Sequence, residues 1–138
     1  MDIRDKALQV ILKAKNPLIS SVGEDGYPYT KAMLPPREHD GLSVFYFTTN
    51  TSSLRVSQYR KNPKASVYFF DAGSFTGVLL LGEMEVFTDQ ISRERIWRAG
   101  DTLYYPQGVT DADYAVLCFT ARSGRLYEKF GTKDFGVP

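Results

Sequence analysis

At 138 residues, 43% of them hydrophobic and 14% aromatic, the chain has the size and apolar content for one core, so a single domain over residues 1–138 is expected. Seventeen basic and sixteen acidic residues leave a net charge of +1, which argues against nucleic acid or an anionic membrane as the main partner; any anion site must be local. One cysteine, Cys118, and one histidine, His39, exclude an intrachain disulfide and a structural zinc cluster, and they fit a reducing, cytoplasmic setting.

In chain order, Ile3, Ala7, Leu8, Ile11 and Leu12 recur at helical spacing between charged residues, and Asn16-Pro17 ends that helix. The same mixture of charge and apolar residues lacks the continuous hydrophobic stretch of a secretory signal, and no apolar run reaches membrane-spanning length. Leu18 to Val22 and Tyr27 to Leu34 flank Glu24-Asp25-Gly26, a hairpin signal. Pro35-Pro36 and His39-Asp40-Gly41 mark a second reversal before the β-prone run Leu42 to Thr48, which predicts three consecutive antiparallel strands.

A polar stretch from Thr48 to Ser53 leads into a short helix, Leu54 to Lys61, stopped by Asn62-Pro63. Ala65 to Asp71 and Val78 to Thr88 read as strands, Ser92 to Ala99 as a capped helix, and Tyr114 to Thr120 and Arg125 to Phe130 as the last strands. Many short strands with peripheral helices predict a mainly β chain: a six- to seven-stranded antiparallel barrel, closed or partly closed.

The chemistry concentrates in one window. From Gly41 to Phe70 there is no acidic residue, while Arg55, Arg60, Lys61 and Lys64 lie beside the hydroxyls of Thr48, Thr49, Thr51, Ser52 and Ser53. A helix starting near Ser53 turns unpaired N–H groups and the positive end of its dipole toward the preceding strand, and Arg55 adds a guanidinium fork, so a phosphate suits this place. An ordinary helix cap and a solvated basic face account for the same residues.

The order helix, hairpin, strand ending Phe45-Tyr46-Phe47-Thr48-Thr49, then Asn50-Thr51-Ser52-Ser53-Leu54-Arg55, Asn62-Pro63, and a strand with Leu79-Leu80-Leu81-Gly82-Glu83-Met84-Glu85-Val86 resembles the pyridoxamine 5′-phosphate oxidase-like FMN-binding split barrels. It is most similar to the short, general-stress-protein-like branch. The resemblance covers nearly the whole chain and rests on the order of these segments. It implies a split β-barrel homodimer with FMN at the interface, Lys31, Ala32 and Met33 flanking the isoalloxazine, and Thr48, Thr49, Ser53, Leu54 and Arg55 holding ribityl and phosphate. The second phosphate charge falls to Lys31 or Arg37. It further implies an oxidoreductase moving electrons between flavin and a small molecule, with NAD(P)H as a source. A non-catalytic flavin-binding stress-related protein, or a split barrel holding haem or a deazaflavin, are the alternatives.

Where oxidases of the family carry a histidine-containing grip on pyridoxal phosphate, this chain has Arg125-Leu126-Tyr127-Glu128-Lys129, so oxidation of the vitamin is not implied. These residues also read as an edge strand with an alternating charged face. Trp97, Tyr104, Tyr105 and Pro106 read chiefly as packing, Cys118 as an inert thiol in an apolar strand, His39 as a turn residue, and Glu83 and Glu85 as an exposed strand face.

Overall fold

Asp2 begins the first helix because its carboxylate accepts the amides of Arg4 (2.7 Å) and Asp5 (3.1 Å), two of the donors a first turn leaves unpaired. In the computed structural model, which describes residues 1–138, this helix, α1, spans Ile3–Lys13 and turns Ala7 and Ile11 into the core. The strands β1 (Leu18–Val22) and β2 (Pro28–Ala32) follow as the expected hairpin. Gly26 takes φ +81° in its turn, and Asp25 accepts hydrogen bonds from the Tyr27 amide and the Tyr29 hydroxyl.

The remaining elements are β3 (Glu38–Asp40), β4 (Val44–Asn50), α2 (Leu54–Lys61), β5 (Lys64–Asp71), β6 (Thr76–Phe87), α3 (Gln90–Ile96), β7 (Tyr114–Glu128) and β8 (Gly131–Gly136). Two single 3-10 turns, Asp101–Leu103 and Gly108–Thr110, lie between α3 and β7. All eight strands form one antiparallel sheet in the order β2-β1-β5-β6-β7-β4-β3, with β8 added on β7; the sheet is open, ending at β2 and β3. No helix is long and apolar enough to cross a membrane.

Three expectations change. The sheet has eight strands rather than six or seven, because residues 38–40, His39 among them, pair with β4 and residues 131–136 pair with β7. The third run does not join the hairpin: β4 crosses over to pair with β7 along its whole length. Its inward Phe45 and Phe47 are 0% and 1% exposed and its outward residues are half covered, so it sits between neighbours rather than beside the exposed β2. The last two runs are one strand, β7, whose first half pairs with β4 and whose second half pairs with β8. Residues 125–128 are therefore an interior ladder, and β8 is the edge.

The split is made where β6 meets β7. Gly82 pairs with Ala121 and Leu81 with Ser123, leaving Arg122 as the extra residue of a bulge that bends the sheet. The core inside the bend packs Phe45 against the tilted rings of Phe69 (5.4 Å) and Phe119 (6.5 Å), with Val67, Leu80 and Leu117 around them. A smaller cluster of Ile96, Tyr105, Tyr114 and Val116 covers the other face. Residues Tyr114 to Phe119 are thus buried on both faces, and Cys118 lies among them with burial pushing its thiol pKa up.

Candidate functional site

Strand alternation decides what the loop after β4 can offer. Thr49 points inward and is 2% exposed, while Thr48 leaves the opposite face beside Tyr105. Arg55, in the first turn of α2, reaches back so that its Nη2 donates to Thr49 Oγ1 at 2.7 Å. That single bond leaves Arg55 Nε buried without a partner, and desolvation lowers the guanidinium's pKa.

Ser53 occupies the N-cap of α2 with extended backbone (φ −70°, ψ 147°), yet its hydroxyl caps nothing and is buried without a partner. A cap serine ordinarily bonds an N–H of the first turn. Ser53 Oγ–H and Arg55 Nε–H are therefore two idle donors, two residues apart, of the kind an oxyanion accepts from. No acidic residue stands in that first turn.

Arg55 and Leu54 wall a cavity of about 160 Å³ whose other sides are Ile19, Ser21, Tyr29 and Lys31. Its floor is shut by the Ser21–Gln58 hydrogen bond (2.5 Å) and by Tyr59, whose hydroxyl donates to the Ser20 carbonyl. Lys31 therefore shares the cavity with Arg55. Arg37 does not: it forks onto Asp101 at 2.6 and 2.8 Å and donates to the Ile96 carbonyl.

Of the expected contact residues, Lys31, Leu54 and Arg55 line the cavity, Thr49 holds Arg55, and Ser53 lies at the helix start. The side chains of Thr48, Ala32 and Met33 go elsewhere, Met33 into the core at 7% exposure. The backbone of β2 is another matter. Met33 N donates to the Pro17 carbonyl and Gly23 N to the Tyr27 carbonyl, so by alternation the odd-numbered residues of β2 bond to β1 and Thr30 and Ala32 turn their N–H and C=O to the free edge.

The acid-free window gains an acid from afar. Asp113 accepts from Asn50 Nδ2 (2.7 Å), Thr51 Oγ1 (3.0 Å) and Ser52 N (2.8 Å), and these bonds hold its carboxyl at a pKa of about 2. Nothing in local spacing marked it. The aromatic residues after α3 pack as expected: Trp97 meets Tyr114 edge-on at 5.2 Å and Tyr105 lies 4.8 Å from Tyr114. His39 stacks on Phe45, and Glu83 pairs with Arg122 at the surface.

Residues 3–128 match the family model described as pyridoxamine 5′-phosphate oxidase. Among solved structures, a protein related to general stress protein 26 of B. subtilis, from Clostridium acetobutylicum and of the pyridoxinephosphate oxidase family, is 37% identical, with a TM-score of 0.89 over 99% of this chain and 97% of that one. A pyridoxamine 5′-phosphate oxidase-related, FMN-binding protein from Nostoc punctiforme shares the fold at 12% identity, TM-score 0.72, covering 98% and 93%. So does a heme-binding protein from Mycobacterium smegmatis, at 12% identity and TM-score 0.77, covering 99% of this chain and 58% of that one. No curated protein sequence matches the chain.

Proposed function

Because the chain belongs to the pyridoxamine 5′-phosphate oxidase family, we propose that it is an FMN-binding flavoprotein that moves electrons between the flavin and a small-molecule partner. The observation that carries this reading is the pair of buried, unpartnered donors, Ser53 Oγ and Arg55 Nε, at the start of α2. Leaving such groups unpaired costs about 1–3 kcal/mol each, a cost that a bound phosphate oxygen removes. Lys31 adds a second cation from across the cavity. The unpaired backbone of Thr30 and Ala32 suits the polar edge of a ring, and Ile19 and Leu54 supply an apolar wall. Bound FMN supplies the redox chemistry; the chain binds, orients and shields it.

A homodimer fits the outer face of the sheet. Val67, Phe69, Val78 and Leu80 point inward, so Tyr68, Phe70, Leu79 and Leu81 share the opposite face, where Phe70 is 38% and Leu81 47% exposed. An apolar patch on that scale is the kind that a second copy covers.

Titration with FMN, followed in the visible spectrum, tests the reading. A two-band oxidised-flavin absorption that stays with the protein supports it, and bleaching on addition of NADH or NADPH supports electron transfer over passive storage. A protein that takes up no FMN, or takes up haem in its place, overturns it. Arg55→Ala is expected to weaken FMN binding about tenfold to a hundredfold while changing riboflavin binding little, since only FMN carries the phosphate. Equal losses for the two ligands would contradict the role given to Arg55.

A further inference from the structure

The hydroxyl-rich loop between β4 and α2 does not present all its donors to the cavity. Asn50 Nδ2, Thr51 Oγ1 and Ser52 N converge on the Asp113 carboxylate, Thr51 N donates to the Asp113 carbonyl at 2.8 Å, and Thr51 Oγ1 also reaches the Ala112 carbonyl at 3.1 Å. Asp113 is fixed in turn: its amide donates to Asp111 Oδ1 at 2.9 Å, while Asp111 Oδ2 accepts from Gln107 N at 2.9 Å. Asp111 is 8% exposed, so the turn ahead of β7 is a firm platform.

We propose that Asp113 is a positioning residue for anion binding, clipping Asn50, Thr51 and Ser52 to the turn ahead of β7 so that the idle donors of Ser53 and Arg55 at the start of α2 are left for the anion. The assignment rests on the FMN reading above. Asn50 Nδ2, Thr51 Oγ1 and Ser52 N, from three consecutive residues, are turned to one carboxylate and away from a phosphate, which favours the start of α2 for the anion. Asp113 is not among the residues that line the cavity, so its negative charge is kept behind the loop. A short polar loop held this way has already lost the conformational freedom that binding would otherwise have to remove.

Calorimetric titration of FMN and of riboflavin into the full chain, Asp113→Ala, Asp113→Asn and Asn50→Ala tests this. Asp113→Ala is expected to bind FMN about tenfold more weakly, with riboflavin affinity unchanged. Asp113→Asn keeps an oxygen for Ser52 N and the Thr51 hydroxyl and is expected to recover most of the FMN affinity. Asn50→Ala removes one arm of the clip without altering a charge, and about a threefold loss for FMN is expected. Wild-type FMN affinity in Asn50→Ala overturns the assignment, even where Asp113→Ala does not fold. So does equal loss of FMN and riboflavin in Asp113→Ala, or FMN binding by Asp113→Asn tighter than by the unaltered chain, the sign of a charge effect. If the unaltered chain binds neither flavin, the FMN reading falls and this assignment with it; if it binds FMN and the variants match it, only the assignment falls.

Discussion

Replacing Gly82 with alanine is expected to lower the thermal unfolding midpoint by about 10 °C or more, the equivalent of roughly 3 kcal/mol in a chain of this size. Gly82 stands at the β6–β7 bulge, where an added Cβ would overlap the Thr120 carbonyl oxygen and press on Ala121 Cα. Those are backbone atoms, so no rotamer change relieves the overlap. Thr120 is also paired with Val44 of β4 and Glu83 of β6, so moving it disturbs two ladders at once. Gly136→Ala is the control, because nothing lies within 4 Å of a Cβ there. Its midpoint is expected to stay within about 3 °C of the parent, the range of an ordinary surface change. Melting followed by circular dichroism decides the matter: a Gly82→Ala midpoint as close to the parent as the control's would show that the bulge relaxes at little cost.

That bulge also explains what could and could not be read from the residues in order. Signals that act within a few positions were legible: the Asp25-Gly26 turn, the proline stops after α1 and α2, and the β-prone run from Leu42 to Thr48. The continuity of β7 was not, because Thr120-Ala121-Arg122-Ser123-Gly124 has the composition of a turn and is instead the bent middle of one long strand. The short strands β3 and β8 owe their assignment to partners supplied by β4 and β7. The crossing of β4 to β7 depends on a partner some seventy residues away, which local propensity does not specify.

The site divides the same way. The place of Ser53, Leu54 and Arg55 at a helix start was readable, because a hydroxyl-rich run before a helical segment is a local capping signal. The opposite orientation of Thr48 and Thr49 was also available, since strand neighbours alternate, although both had been expected at the ligand. Asp113 was not available: it meets Asn50, Thr51 and Ser52 across more than sixty residues. Nor was the commitment of Arg37, whose partner Asp101 lies 64 residues on.

Removing that partner is the second large effect. Asp101→Ala is expected to cost about 3–5 kcal/mol, because it strands a guanidinium that is 10% exposed after taking away both oxygens of its fork. The same carboxylate accepts the Arg98 amide, so the chain leading into the first 3-10 turn loses a local hydrogen bond as well. Denaturant unfolding at neutral pH measures the loss. The pH dependence carries its own sign. The Arg37 hydrogen bonds hold the Asp101 pKa below the ordinary 3.8, so this contribution is complete above the unfolded value and disappears as pH falls through the folded one. The gap between parent and Asp101→Ala should therefore be constant from about pH 7 to pH 5 and narrow below about pH 4; a gap that widens with acid would mean that Asp101 is not ionised in the fold. Arg37 stands outside the cavity that Lys31 and Arg55 share, so Asp101→Ala, assayed under conditions where it is folded, is expected to keep its FMN affinity within about threefold of the parent. A large gain in FMN affinity on freeing Arg37 would instead make Arg37 a phosphate ligand held in reserve, and Lys31 would lose its claim to be the second cation.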